Sequence, residues 1–296
     1  MSDATAMSGS CLPVTIVNAC LREGHGGSPT AVLDETTLSD DERRTVPVLM
    51  GTSHAVFVSV EDSGHDVRDV SLRFFTATGE LPACGHGTVA ALAFLAERAG
   101  GREFQATVRT QRRVFTGRAA RVNGRLTASF DPGAADVREP AAGEHDPVLH
   151  ALGITPGTLA PGTRVASLGR PRLLVPVRTR SVLAALAPDF DRLRDACDQL
   201  GLLGCYVYCV PTAEGHVTAR MFAPSIGVPE DIANVNSTAC LAAHLAREGM
   251  TDITVDMGDA LGKPSTITAA ARRSTPGPLV HVGGAATIAR VVRLER

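Results

Sequence analysis

Apolar and polar positions alternate with a period of two over several stretches of the chain, the signature of half-buried strands. Pro13 to Ala19 reads as a strand, a Gly-rich turn follows from Gly24 to Pro29, and a second short strand centres on Ala31–Leu33. Leu38 to Gly51 switches to helical spacing and opens with Ser39-Asp-Asp-Glu42, a capping signal; Pro47 is expected to end or kink that helix. Ala55–Val60 and Val67–Phe75 alternate again. Thr88 to Gly100 carries apolar residues at helical spacing and closes on a Gly. In Arg121-Val-Asn-Gly-Arg125, Asn-Gly accepts the positive φ angles of a two-residue hairpin turn.

A second half follows. Ala134 to Asp146 is rich in Ala, Gly, Pro and charge and reads as an exposed connection. Val165–Val177 is strand-like, Ser181–Gly201 helical, Gly204–Val210 a buried strand, His216–Phe222 a strand and Ser237–Gly249 a helix. Ile253 to Leu294 alternates like three or four strands. The halves resemble each other: Arg73-Phe-Phe75 precedes Pro82 by the spacing at which Arg220-Met-Phe222 precedes Pro229, and Ala-rich helices follow both. That pattern points to a duplicated domain.

Composition narrows the class. The 296 residues carry 29 Lys+Arg against 31 Asp+Glu, a net charge of −2 with no long run of one sign, which argues against nucleic acid as a partner. Aromatics are 4% and Trp is absent, so no stacking platform is expected. No apolar run reaches the length of a membrane span, and the first ten residues lack the basic start and apolar core of a secretory leader. Seven cysteines without a C-x-x-C fit reduced cytoplasmic thiols. These features favour a soluble cytoplasmic α/β protein.

If the halves face each other, two strand–loop–helix turns meet: Ala83-Cys-Gly-His-Gly-Thr88 and Ile232-Ala-Asn-Val-Asn-Ser-Thr238. Each ends at a helix N-terminus, where unpaired N–H groups and the dipole favour an anion. Two such termini would hold a small carboxylate without any Arg or Lys, and Gly85 and Gly87 would let the backbone approach it.

From about Val14 onward the chain resembles the phenazine-biosynthesis isomerase family (PhzF-like). The resemblance rests on Gly27-Ser-Pro-Thr-Ala-Val32, Arg73-x-Phe-Thr with Glu80-Leu-Pro-x-x-Gly-His86, Phe222-Ala-Pro-x-x-Gly-Val-Pro-Glu-Asp231, and Val282-Gly-Gly284. It implies an α+β chain of the diaminopimelate-epimerase fold: two pseudo-symmetric halves, residues 12–125 and 126–284, each a curved sheet or barrel around a central helix. The strand 285–296 would return to the first half, and the active site would lie in the cleft between them. It implies a cofactor-independent isomerase that moves a proton on a small unsaturated carboxylic acid, acting as a homodimer, with 4-alkyl-pyrroline carboxylates of antibiotic biosynthesis as one substrate branch.

The family's acid/base Glu stands in a Ser-Glu-x-x-Phe context; here the matching stretch is Ser53-His54-Ala-Val-Phe57, which makes His54 the expected proton-transfer group. Imidazole takes and returns a proton near neutral pH. The family's Gly-His pair falls on Gly85 and His86, and its Asp on Asp231. His86, at a helix N-terminus, is expected neutral. Asp231, beside Glu230, could cap the following turn; the preferred reading is that the adjacent carboxylates share a proton, leaving one protonated to bond a substrate carboxylate or imine nitrogen. Asn234-Val235-Asn236 replaces the family's Thr-Gly-Ser. Gly85, Gly87 and Thr88 on one turn, with Asn236 and Ser237 on the other, are the expected substrate-binding residues. Cys84 occupies the place of a catalytic thiol in the racemase relatives of this fold, so a two-thiol racemase is one alternative reading and a non-catalytic binding protein another. No His/Cys/Asp spacing suits zinc and no Gly-rich nucleotide motif occurs, so neither metal nor cofactor is expected.

Overall fold

The computed structural model describes residues 11–61, 67–272, 274 and 277–295; the leader question concerns residues 1–10 and lies outside them. The first half runs β1 (Leu12–Leu21), β2 (Ser28–Asp34), α1 (Asp40–Met50), β3 (His54–Glu61), β4 (Arg68–Thr76), β5 (Gly79–Leu81), α2 (Gly85–Arg98), β6 (Phe104–Arg109), β7 (Val114–Val122) and β8 (Arg125–Ala134). The second runs β9 (Asp136–Arg138), α3 (Asp146–Leu152), β10 (Arg164–Ser167), β11 (Pro171–Val177), α4 (Arg180–Ala184), α5 (Phe190–Gln199), β12 (Cys205–Cys209), β13 (His216–Ala223), β14 (Val228–Asp231), α6 (Val235–Arg247), β15 (Asp252–Met257), β16 (Ser265–Arg272) and β17 (Leu279–Leu294).

Strand pairing closes a barrel in the order β1-β2-β3-β4-β6-β7-β8-β17 and back to β1. A second ring runs β9-β10-β11-β12-β13-β15-β16-β17 and returns through β8, which continues into β9. Each ring surrounds one helix. α2 is buried at every position from Gly85 to Ala93, and α6 from Ser237 to Ala246. Helices this apolar all round are core elements, and both belong to one continuous cluster with the strands around them. The parallel pairs β2–β3 and β4–β6 are repeated as β11–β12 and β13–β15, so the duplication extends to topology.

The repeat is also chemical. Arg73 forks onto Glu80 with Nε–Oε1 and Nη2–Oε2 distances of 2.9 and 2.8 Å, and Arg220 forks onto Glu230 with the same two distances. Each guanidinium lies over the following Phe, Phe75 at 5.0 Å and Phe222 at 4.8 Å. The register pairs Phe74 with Leu81 and Met221 with Asp231, so the spacing between equivalent residues grows from 147 to 150. The 3-10 turn Pro224–Ile226 supplies the three extra residues. Pro229 is therefore not the partner of Pro82, although the sequence spacing suggested it.

Several boundaries differ from the sequence reading. α1 begins with the full Ser39–Glu42 capping box but runs three residues past Pro47, because a missing N–H so near the end costs one bond of the last turn. Residues 181–201 form two helices, since Pro188 breaks the first and Asp189 caps the second. Residues 165–177 form a hairpin, β10 and β11, turning at Leu168–Arg170. The connection 134–146 contains β9, where Val137 is buried and pairs with Ala166. Asn123 and Gly124 take φ of 50° and 78°, as the Asn-Gly turn requires. No helix among the described residues is long and apolar enough to cross a membrane.

Candidate active site at the paired helix starts

α2 starts three residues before Thr88, with Cys84 as N-cap: its sulfur accepts the Gly87 N–H at 3.4 Å, and Thr88 Oγ1 donates to the Cys84 carbonyl at 2.8 Å. α6 starts with Asn234 as N-cap; its side chain accepts the Ser237 N–H at 2.9 Å, and Thr238 donates to its carbonyl at 3.1 Å. The two starts abut. A Cβ placed on Gly85 would lie 2.6 Å from Val235 Cβ, so glycine is what permits the approach. Gly85 and His86 on one helix, Val235 and Asn236 on the other, have no intrahelical acceptor for their N–H groups, which is the donor array a carboxylate needs.

His86 extends from the first turn of α2. Its Nδ1–H donates to the Ala233 carbonyl in the opposite half at 3.2 Å. Its Nε2 lies 3.5 Å from Cys84 Sγ and 3.1 Å from His54 Nδ1. His54 opens β3, its ring edge-on to His86, and its Nδ1 also lies 2.9 Å from Ser53 Oγ. Sulfur and two imidazoles thus form one buried chain, Cys84–His86–His54.

Two imidazoles this close cannot both be cationic. Burial and the neighbouring His86 charge lower His54 to about 3, against the opposing pull of Asp231. For His86, burial acts downward most strongly. The charge on the Cys84 sulfur, the hydrogen bond to it, the Asp231 carboxylate and the Ala233 carbonyl together outweigh burial and raise it to about 9. The proton rests on His86, which corrects the neutral state expected from its helix-terminal position. The dipole there is outweighed by the Cys84 sulfur on one side and the Asp231 carboxylate and Ala233 carbonyl on the other.

Asp231 ends β14 and holds the second loop, accepting the Ala233 N–H at 3.3 Å and the Asn234 amide N–H at 2.9 Å. Glu230, expected as its partner, is turned elsewhere. Neighbours on a strand point to opposite faces, and Glu230 is committed to Arg220. Asn234 occupies the place in the second half that Cys84 holds in the first. The pseudo-symmetric position of a second catalytic thiol is therefore an amide, and Cys240 is buried six residues further along α6.

A cavity of about 560 Å³ opens between the halves, and His54, Cys84, Gly85, His86, Asp231 and Asn236 all reach it. Gly87, Thr88 and Ser237 lie behind its wall. The space a Gly87 side chain would need is filled by Cys84 Sγ, Phe74 and Val56, the Thr88 hydroxyl is spent on the Cys84 carbonyl, and the Ser237 hydroxyl faces Met221 Sδ at 3.5 Å. Sequence reasoning missed four arginines that line the same cavity, Arg112, Arg113, Arg170 and Arg172. Their one signal was Arg172 breaking the apolar run of β11. The nearest ligand atoms of His54, Cys84 and His86 lie within 4.8 Å of one another, so this trio could hold a soft divalent cation. Sequence spacing hid that possibility because His54 comes from a separate strand.

Two shared-strand barrels, each wrapped around a buried helix whose N-terminus meets the other's, define the diaminopimelate-epimerase-like architecture. The match to the family described as phenazine biosynthesis-like protein spans residues 17–291, and the chain belongs to that family. It is 30% identical to an uncharacterized isomerase of Deinococcus radiodurans over 288 residues, covering 90% of this chain and 89% of the relative. It is also 30% identical to the trans-2,3-dihydro-3-hydroxyanthranilate isomerase of Pseudomonas aeruginosa over 267 residues, covering 86% and 89%. Among solved structures, a PhzF-family phenazine biosynthesis protein of Bacillus anthracis superposes with a TM-score of 0.83 at 18% identity, covering 97% of this chain and 100% of that one.

Proposed function

We propose that this protein is a cofactor-independent isomerase that shifts a double bond on a small unsaturated carboxylic acid by taking a proton from one carbon and returning one to another. The observation that carries the reading is the Cys84–His86–His54 chain beside two abutting helix N-termini. The relative named for trans-2,3-dihydro-3-hydroxyanthranilate supports a cyclic, conjugated acid. The finer parts of the proposal are a 4-alkyl-pyrroline carboxylate as substrate, work in secondary metabolism, and assembly as a homodimer.

With the proton on His86 and its Nε2–H shared between the Cys84 sulfur and His54 Nδ1, His54 presents its other nitrogen as a donor, and the Cys84 sulfur is the acceptor. The sulfur takes the proton as the C–H bond breaks, and the electron pair moves into the conjugated system. Its charge spreads onto the carboxylate, where the helix N–H groups face it. His86 passes its Nε2 proton to His54, which gives its own to the far carbon. The thiol proton then returns to His86, and solvent in the cavity restores the His54 tautomer. Nothing is oxidised or reduced.

Turnover in D₂O with a panel of unsaturated cyclic acids tests this. Wild type should place deuterium at the far carbon. His54→Ala should lose at least about 10²-fold in kcat while still exchanging the first carbon's hydrogen, and His54→Glu should restore part of the turnover. Absence of exchange with every acid would sink the isomerase reading, whereas an intact His54→Ala would move the donor elsewhere.

A further inference from the structure

The cavity holds a charge that the proton chemistry does not use. Arg172 is 3% exposed, and its Nε and Nη1 are buried without a hydrogen-bond partner. Only Nη2 is engaged, donating to the Arg170 carbonyl at 2.9 Å. On β11, Arg172 shares a face with Leu174, which packs in the main core, while Leu173, Val175 and Val177 face the second cluster beneath α3 and α5. The guanidinium is thereby turned inward and reaches the cavity. Arg113, from the first half, reaches the same cavity, with Nη1 donating to the Pro132 carbonyl. Among the described residues no ion pair joins either arginine to a carboxylate. Burial pushes the Cys240 thiol of α6 up, and the charges of both arginines oppose it.

A buried guanidinium cannot escape its cost by losing a proton, and leaving it unpaired is strongly unfavourable. Its planar fork matches a carboxylate held through two parallel N–H bonds, and Nε and Nη1 are donors left open for an acceptor. We propose that Arg172, seconded by Arg113, binds a second carboxylate on the substrate, so that the acid processed here is a dicarboxylate: one group at the paired helix starts, the other on a substituent that reaches the guanidinium in the same cavity. The inference rests on the carboxylate-binding role of the helix starts. A cavity of about 560 Å³ has room for a ring and an acidic arm.

Titration calorimetry with two probes of one carbon skeleton and one double-bond geometry tests it: sorbate, a six-carbon trans,trans-diene with one carboxylate, and trans,trans-muconate, the same diene with two. Wild type should bind muconate at least tenfold more tightly than sorbate. Arg172→Met should bring muconate to the sorbate level and leave sorbate unchanged. Arg172→Lys, which keeps the charge but loses the fork, should fall between. Removing an uncompensated buried charge should also leave the ligand-free melting temperature of Arg172→Met equal to or above wild type, whereas a structural arginine would lower it. Equal binding of both acids by wild type would overturn the second-carboxylate site alone. Binding of neither would overturn it together with the carboxylate role of the helix starts. A lowered melting temperature in Arg172→Met, with the muconate preference intact in Arg172→Lys, would make the residue structural and overturn the proposal.

Discussion

Replacing Cys84 by Ala should move the His86 proton, and the size of the move follows from the geometry. The sulfur lies 3.5 Å from His86 Nε2. Two unit charges at that distance attract by about 5 kcal/mol at an effective dielectric near 20, or about 3.5 pKa units. Subtracting this from about 9 leaves His86 titrating at about 5.5 in the variant. The sign is definite: a raised imidazole stays protonated up to about 9 and loses its proton above it, so losing the sulfur that raises it brings deprotonation to lower pH. At pH 7.5 the ring should pass from almost fully protonated to about one molecule in a hundred. Histidine-labelled protein followed by ¹⁵N NMR across the pH range reads this directly, without substrate. His54, lowered to about 3, should stay neutral throughout in wild type. Cys84→Asp provides the control, since a carboxylate restores the charge and remains a competent N-cap, and should lift His86 again. A Cys84→Ala protein in which His86 still titrates near 9 would refute the argument, because another group would then be holding the proton.

Three further outcomes follow. Glu230→Gln should cost about 3–5 kcal/mol in denaturant unfolding, because it strands the Arg220 charge at 12% side-chain exposure, while Glu80→Gln should cost about 1 kcal/mol, because Arg73 keeps Asp40 at 2.9 Å and is 36% exposed; equal costs would contradict the burial argument. Gly85→Ala should force the helix starts apart, losing about 1–3 kcal/mol of stability and more than tenfold in carboxylate affinity, and a crystal structure or calorimetry showing neither would remove the abutment from the binding account. Added Zn²⁺ should engage the His54–Cys84–His86 atoms and block proton exchange reversibly, with activity returning on chelation; exchange unaffected by Zn²⁺ would mean the trio does not converge in solution as it does here.

What was legible in the chain was whatever local chemistry decides. Strands such as β3 and β4 declare themselves by alternation, and the Ser39 capping box and the Asn123-Gly124 turn by residue type. The first turn of α2 was hidden because Gly-His-Gly has poor intrinsic helix propensity, and its cap is a cysteine. The site was partly legible. Cys84 and His86 are two residues apart and announce the first loop, but His54 is brought beside them by the pairing of β3 with β4 and of β4 with β5, and its role came from resemblance rather than spacing. Arg172 was invisible for the opposite reason. One charge in a strand normally marks the solvent face, and only the second ring of strands, closing over that face, turns it inward. The shared proton expected for Glu230 and Asp231 ignored the alternation that sends adjacent strand residues to opposite sides.

The duplication itself indicates where chemistry should be sought. Residues that hold the scaffold recur in both halves: the Arg–Glu forks, the phenylalanines beneath them, and the Thr88 and Thr238 hydroxyls on the N-cap carbonyls. Residues at the meeting point do not. Cys84 faces Asn234 as cap, His86 faces Asn236 in the first turn, and Leu81 faces Asp231 at the end of the short strand. A symmetric site would place like groups on both sides of a ligand, the arrangement a two-base racemase needs. Here the sulfur and both imidazoles belong to the first half, whereas Asp231, the amide cap and Arg172 belong to the second. One side can exchange protons and the other can hold and orient. That division suits a proton leaving and returning on one face of a bound acid, and it makes the sidedness of deuterium delivery the sharpest consequence of the fold: label should enter from the His54 side alone, and delivery to both faces would contradict the asymmetry from which the mechanism is built.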